Sequence, residues 1–376
     1  MIKSEEKLTI NGVDFNSKNP LIIAELGTSH NGDIKTAKEM IDAAKGAGAA
    51  CVKFQMVYAD EILHPNTGDV NLPGGKIKLY DRFKALELDG DFYRELKEYT
   101  ESKGLLFLCT PFGAKSASIL RNLQPKMVKI ASPELNFTGL LEEIAGWNLP
   151  ILISSGVSKL SDIEIALEIF KRSRRAAENS ICLLHCVTSY PAPETDYNLR
   201  VLANLSSIFG VPVGVSDHSS DPELVPCLSV VLGASVVEKH FCLSKSSAGL
   251  DDPIALEPQN FEKMVKTVNW AVKEGAEKTI KHFCEQKGNE FIEKILGDGV
   301  KKLAPSEIEN YSRTNRSIHA LRDIKEGETL KKSDYAVLRT EKVLRPGLEP
   351  CWESKIEGRT VKNFISTGEG IRFEDI

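Results

Sequence analysis

Eight short apolar runs punctuate the first two thirds of the chain. They are LIIAELG (21–27), CVKFQMV (51–57), LLFLCTPF (105–112), MVKIASPE (127–134), PILISSGV (150–157), SICLLHCV (180–187), PVGVSDHS (212–219) and ASVVEKHF (234–241). Each is rich in β-branched residues and ends in polar or turn residues, the pattern of a strand buried on both faces of a parallel sheet. Between the runs, apolar residues repeat at helical spacing. After Asp33, a good N-cap residue, Ile34, Ala37, Ile41 and Ala44 share one face, and Gly46 and Gly48 close the run. Eight strand-then-helix units predict an α/β fold, a closed (β/α)8 TIM barrel of about 250 residues. An open doubly wound sheet is the alternative, but no glycine-rich turn follows the first strand.

Two stretches break the rhythm. The segment 54–90 is long, polar and rich in Gly and Pro. It follows the second strand, so it belongs to the C-terminal face, where barrel active sites form, and reads as a lid or binding loop. Residues 258–310 read as one long helix and a polar linker. From about 311 the pattern turns to short β segments with a weak repeat: RDIKEGETL (322–330) resembles KNFISTGEGI (362–371). The predicted division is a barrel over 1–284, a linker over 285–310 and a small β-rich domain over 311–376.

Composition narrows the function classes. With 48 basic and 53 acidic residues the chain has a net charge of −5, which speaks against an electrostatic nucleic-acid binder. No apolar run approaches a membrane span, and MIKSEEKLTINGVDF has no apolar signal region. The eight cysteines sit mostly inside apolar runs, as buried reduced thiols of a cytoplasmic protein do.

Strand alternation then singles out the chemistry. Residues two apart share a face. Lys53 and Gln55 therefore point into the barrel, opposite Val52, Phe54 and Met56. Ser216 and His218 share a face, as do Glu238 and His240; Glu25 and Lys129 join the inward set. Charged residues are seldom buried without a partner or a task. Two lysines among the hydroxyls of Thr110, Ser132, Ser154, Ser155 and Ser216 suit a phosphate. A Schiff-base lysine, the competing use, prefers an apolar pocket. His218 and His240 end adjacent strands and can reach one divalent cation, with open positions left for water or substrate. Tyr190, in a loop stiffened by Pro191 and Pro193, reads equally well as a substrate contact or a loop anchor.

Together, AELGTSHNGD, VKFQ, TPF, KIASPE, ISSG, LLHC…SYPAP, SDHS, EKHF and GLDDPIALEP resemble the sialic acid (N-acetylneuraminate) synthase family, which includes legionaminic and pseudaminic acid synthases and spore-coat polysaccharide proteins. The tail NRSIHALRDIKEGETL…LRPGLEP…EGRTVKNF resembles the small antifreeze-like (SAF) domain of that family. The resemblance implies condensation of phosphoenolpyruvate with an N-acetylated hexose, such as N-acetylmannosamine, to a nine-carbon 2-keto acid and phosphate. It implies a divalent metal, usually Mn²⁺ with Mg²⁺ or Co²⁺ as alternatives, on His218 and His240. Phosphoenolpyruvate would meet Lys53, Gln55, Thr110, Lys129, Ser132, Ser154, Thr188 and Ser216. The sugar would meet Glu25, Tyr190 and Asp251, with Glu134 near the reacting carbons. The catalytic set is then Glu134, Glu25, Lys53 and Lys129, with Glu134 the favoured group for the cation at C2. The family is domain-swapped, so an arginine from a partner's small domain is expected at the sugar: Arg345, with Arg339 as second candidate. Thr188 stands where a neuraminate synthase can carry Asn, and Asp252 where the family often has His. The loop YADEILHPNTGDVNLPGG is closer to the spore-coat branch, which leaves the sugar open. A Schiff-base lyase and a non-catalytic carbohydrate-binding protein are the competing readings.

Overall fold

The computed structural model describes residues 6–72, 75–173, 181–247 and 249–376. All eight apolar runs form strands: β1 (Leu21–Gly27), β2 (Cys51–Met56), β3 (Leu106–Pro111), β4 (Val128–Ile130), β5 (Ile151–Ser154), β6 (Ile181–Cys186), β7 (Val213–Asp217) and β8 (Ala234–His240). They lie parallel in the order β3-β2-β1-β8-β7-β6-β5-β4. β3 and β4, the two ends of that order, sit side by side without a ladder, so the sheet is a nearly closed TIM-like barrel. The first helix, Ile34–Gly46, is capped by Asp33, whose side chain accepts from the Lys35 amide.

The barrel interior is divided along its axis. Its lower part is apolar: Leu21, Ile23, Cys51, Leu108, Met127, Leu152, Cys182, Leu184 and Val236 form one cluster. Leu8, Ile10 and Phe15, from an N-terminal hairpin (Leu8–Ile10 and Val13–Phe15), plug it from below. Fully burying such side chains stabilises the fold by about 1.5–3 kcal/mol each. Two residues further along each strand the inward position turns polar: Ile23 gives way to Glu25, Cys51 to Lys53, Met127 to Lys129, Leu152 to Ser154 and Val236 to Glu238. Six cysteines are buried, while Cys284 is partly and Cys351 largely exposed, and all eight are unpaired.

Three parts differ from the expectation. The single long helix after 258 is three, Pro258–Glu274, Ala276–Lys287 and Asn289–Leu296, separated at Gly275 (φ +82°) and Gly288 (φ +91°). Both glycines adopt backbone conformations that L side chains resist, and they let the chain turn back onto the barrel. The stretch 285–310 is therefore not all linker, because Ile292, Ile295 and Leu296 are buried in the barrel core. The segment 54–90 holds a helix (Ala59–Ile62), a hairpin (Asp69–Leu72 with Gly75–Lys78) and a further helix (Leu79–Lys84). It serves as a platform for the small domain: Leu63 bridges to Arg339, and the Val343 amide donates to Thr67 O at 3.3 Å.

The small domain has its own core, including Ile318, Ile324, Leu330, Ile356, Val361, Ile365 and Ile371. Its strands β9 (Arg316–Ala320) and β10 (Tyr335–Arg339) pair antiparallel. The two repeat copies face each other: Ile324 and Ile365 exchange both backbone hydrogen bonds at 2.9 Å. Gly327 and Gly368 occupy matching turns at φ +82° and +89°.

Candidate active site

At the polar end of the barrel, Glu238 is shared by both inward lysines. Lys129 Nζ donates to its two carboxylate oxygens, each at 2.8 Å, and Lys53 Nζ lies 3.2 Å from its Oε1. Ser216 Oγ donates to the same Oε1 at 2.8 Å. Lys53 also lies 3.2 Å from Glu25 Oε2, and Gln55 Nε2 donates to Glu25 Oε1 at 2.7 Å. All four ionisable groups are buried.

Their environments push them apart. Burial opposes charge on Glu238, but Lys129 and Lys53 outweigh it and hold the carboxyl well below the usual range. Burial pulls Lys53 down, yet Glu238 and Glu25 together keep it above an ordinary lysine. At Lys129 burial wins and lowers the ammonium. Burial also wins at Glu25, raising it to about 7 against the pull of Lys53. Glu25 is thus the carboxyl of this set that titrates near neutrality.

Above the lysines lies a ring of hydroxyls. Among the described residues, Thr110 Oγ1, Ser154 Oγ and Glu134 Oε2 are buried without a hydrogen-bond partner. Ser132 Oγ accepts from the Gly156 amide at 2.9 Å and also hydrogen-bonds the Cys186 sulfur. Only glycine fits at 156, since a Cβ there would sit 2.1 Å from Thr188 Oγ1. Buried polar groups without partners are costly, so this ring suits an anionic ligand with many acceptor oxygens.

On the opposite wall, the rings of His218 and His240 lie 5.4 Å apart, and Tyr190 stacks on His218 at 4.3 Å. His218 Nδ1 donates to Val187 O at 2.8 Å, which directs Nε2 toward the Tyr190 hydroxyl at 3.4 Å. Asp251 Oδ2 lies 3.7 Å from His240 Nδ1. Burial keeps His240 neutral, well below the usual histidine range. Burial acts the same way on His218, but the neighbouring Cys186 sulfur outweighs it and raises the imidazole to about 9. Without its proton, His218 Nε2 would stand beside His240 as a second neutral imidazole donor. No third His, Cys, Asp or Glu completes a ligating cluster among the described residues.

Glu134 has a role that the sequence reading did not anticipate. Its Oε1 lies 3.0 Å from Arg316 Nη2 and 2.7 Å from Arg339 Nη2. Arg316 is buried and also donates to the carbonyls of Phe112 (2.6 Å) and Glu61. Arg345, the first candidate for the sugar-side arginine, is held within its own small domain. Its guanidinium donates to Gly370 O at 3.0 Å and to Asp375 Oδ2 at 2.5 Å within the small domain. Arg339, the second candidate, does reach the barrel, and it does so beside Arg316 of the same chain. Arg316 stands in the quoted string NRSIHA, and its charge at the head of an apolar strand was the available signal. His185 points away from the cavity and bonds Tyr197 O at 2.5 Å.

The chain matches the NeuB family over residues 40–289 and the SAF domain over residues 315–376. It is 33% identical to the N,N'-diacetyllegionaminic acid synthase of Legionella pneumophila over 98% of each chain. It is 31% identical to the pseudaminic acid synthase of Campylobacter jejuni, covering 96% of this chain and 98% of that one. The crystal structure of the spore coat polysaccharide biosynthesis protein SpsE from Bacillus subtilis superposes with a TM-score of 0.80 at 31% identity, covering 98% and 99% of the two chains. The barrel with its inward acids and lysines, and the arginine-bearing small domain above it, belong to the NeuB family, and the chain is an acid synthase of that family.

Proposed function

We propose that the chain condenses phosphoenolpyruvate with an N-acetylated hexose, N-acetylmannosamine or a related aminosugar, to a nonulosonic acid and phosphate. The observation that carries this reading is the pair Lys53 and Lys129 beneath the unpartnered hydroxyls of Thr110 and Ser154. The carboxylate and phosphate of phosphoenolpyruvate supply the missing acceptors, and the two ammoniums neutralise them. Ser132 and Thr188 add hydroxyls, Ser216 holds Glu238 in place, and Gln55 orients Glu25.

C3 of phosphoenolpyruvate attacks the sugar aldehyde, water adds at C2, and the tetrahedral intermediate loses phosphate to leave the 2-keto acid. Glu25 is placed to move the proton that the water gives up, because burial has brought it near neutrality. Glu134 suits a different task. Two guanidiniums share its Oε1, so its negative charge is fixed in place near the reacting carbons, with Oε2 left to face developing positive charge. Arg316 and Arg339 border the sugar side, with Tyr190 and Asp251 opposite. His218 and His240 would hold a divalent cation, Mn²⁺ or alternatively Mg²⁺ or Co²⁺, which when bound supplies Lewis-acid polarisation of the aldehyde oxygen. We place the enzyme in the cytoplasm as a homodimer. Exchange of small domains between two chains would preserve the Arg316–Glu134 contact.

The test is phosphate release from phosphoenolpyruvate with a panel of N-acetyl and di-N-acetyl hexoses, followed by mass analysis of the product. Release that depends on one sugar, with a product equal in mass to both substrates plus water minus phosphoric acid, is expected. Borohydride trapping of a substrate on Lys53 or Lys129 would instead favour Schiff-base chemistry.

A further inference from the structure

The segment that leads into the small domain crosses the top of β5 and β6 and binds their ends through backbone groups. Glu307 is buried, and its Oε1 accepts from two amides, Val157 N and Thr188 N, each at 2.7 Å. Its Oε2 accepts from Ala304 N at 3.1 Å. The carbonyls of the same two barrel residues are held as well. Asn315 Nδ2 donates to Val157 O at 3.0 Å, and Asn310 Nδ2 to Thr188 O at 3.3 Å. Both backbone polar groups of two barrel residues are thus fixed by one strap, 304–315.

Neither residue is an ordinary loop position. Val157 is β-branched yet sits at φ +41°, in the left-handed region. Such a residue stays there only when its surroundings hold it. Thr188 brings its hydroxyl against Gly156, whose amide holds Ser132 Oγ. The residue after the strap is Arg316, on Glu134. The ten residues 307–316 therefore bind the backbone of Val157 and Thr188 at one end and Glu134 on the sugar side at the other.

We infer that Glu307, assisted by Asn310 and Asn315, is a positioning residue for the phosphate end of the site. By fixing the Val157 and Thr188 peptides, the strap sets the Ser132–Gly156–Thr188 cradle. Seating of the small domain and shaping of that cradle are then one event. The inference rests on the phosphoenolpyruvate reading given above, and its test separates the two.

Full-length wild type, Glu307→Gln and Glu307→Ala are titrated with inorganic phosphate by calorimetry and assayed for the KM of each substrate. Glu307→Ala is expected to weaken phosphate binding and raise the KM for phosphoenolpyruvate, each by at least about tenfold, with the sugar KM within twofold. Glu307→Gln keeps an oxygen for both amides and should recover most of the affinity. A lower melting temperature with phosphate affinity unchanged would reduce Glu307 to a purely structural role and overturn the inference. If Glu307→Ala does not fold, Asn310→Ala and Asn315→Ala decide the matter: several-fold weaker phosphate binding in either supports the strap, and wild-type affinity in both overturns it. Wild type that binds phosphate without releasing it from phosphoenolpyruvate refutes the proposed reaction alone. Wild type that binds no phosphate overturns the inference.

Discussion

The Lys129–Glu238 pair can be tested apart from any substrate. Lys129→Met removes an ammonium that donates to both Glu238 oxygens at 2.8 Å. Removing one partner of a buried ion pair costs about 3–5 kcal/mol. Glu238 keeps Lys53 at 3.2 Å and Ser216 at 2.8 Å, so the loss should fall near the lower end, about 3 kcal/mol. Glu238→Gln leaves Lys129 without a counter-ion and Lys53 with Glu25 alone, so it should fall near the upper end, about 5 kcal/mol. In the double variant only Lys53 and Glu25 remain, already 3.2 Å apart, and no ion is left without a partner. Its loss should not exceed that of Glu238→Gln, which makes the coupling energy about 3 kcal/mol. Urea unfolding of chelator-treated protein at pH 8, followed by circular dichroism, measures all four corners of the cycle. Losses that simply add, within about 0.5 kcal/mol, would show that the two side chains do not share a charge network and would refute the argument. All three variants should also lose phosphate release.

Further expectations follow from other parts of the site. Glu25 is raised to about 7 in the folded chain, so the native state holds a proton that the unfolded state has lost between about pH 4.5 and 7. Stability should therefore fall by up to about 3 kcal/mol as pH rises through that window, and Glu25→Gln should flatten the slope; an unchanged slope in denaturant titrations would place the proton elsewhere. Chelation should stop turnover and added Mn²⁺ restore it, while His240→Ala should lower turnover at least about 100-fold even with metal present. Steady turnover in metal-free protein would remove the cation from the mechanism. Arg316→Lys keeps the charge but loses the fork that reaches Glu134, Phe112 O and Glu61 O, so the sugar KM should rise about tenfold, and more than the KM for phosphoenolpyruvate. Equal changes in both would argue against a sugar-side role.

The barrel was legible in the sequence because its strands carry a local signal. β1 spans the seven residues of the run LIIAELG, and β8 all but the last of ASVVEKHF. Alternation paired Lys53 with Gln55 and Glu238 with His240, and seating the apolar residues against the helices turned the polar set inward. The helix breaks at Gly275 and Gly288 were missed although both glycines stand in the sequence, because their positive φ depends on packing. Arg316 was harder to find. It meets Glu134 across more than 180 residues of chain, and its one local signal, a charge at the head of an apolar strand, does not say what the arginine meets. The partner of each arginine is decided by how the small domain docks, which no pattern within a single element records. Glu307 was hidden for the same reason, because its ligands are backbone amides, which every sequence has.

The arginine clamp on Glu134 bears on modularity. The chain looks divisible near residue 310, and the small domain has a core of its own. Yet a barrel cut free there would keep Glu134 buried at the head of its cavity with both guanidiniums gone. Such a fragment would have to protonate that carboxyl, admit water to it or distort the mouth around it. Recombining barrels and small domains from different relatives should therefore succeed or fail by whether this one charge is answered, more than by how well the linker lengths agree.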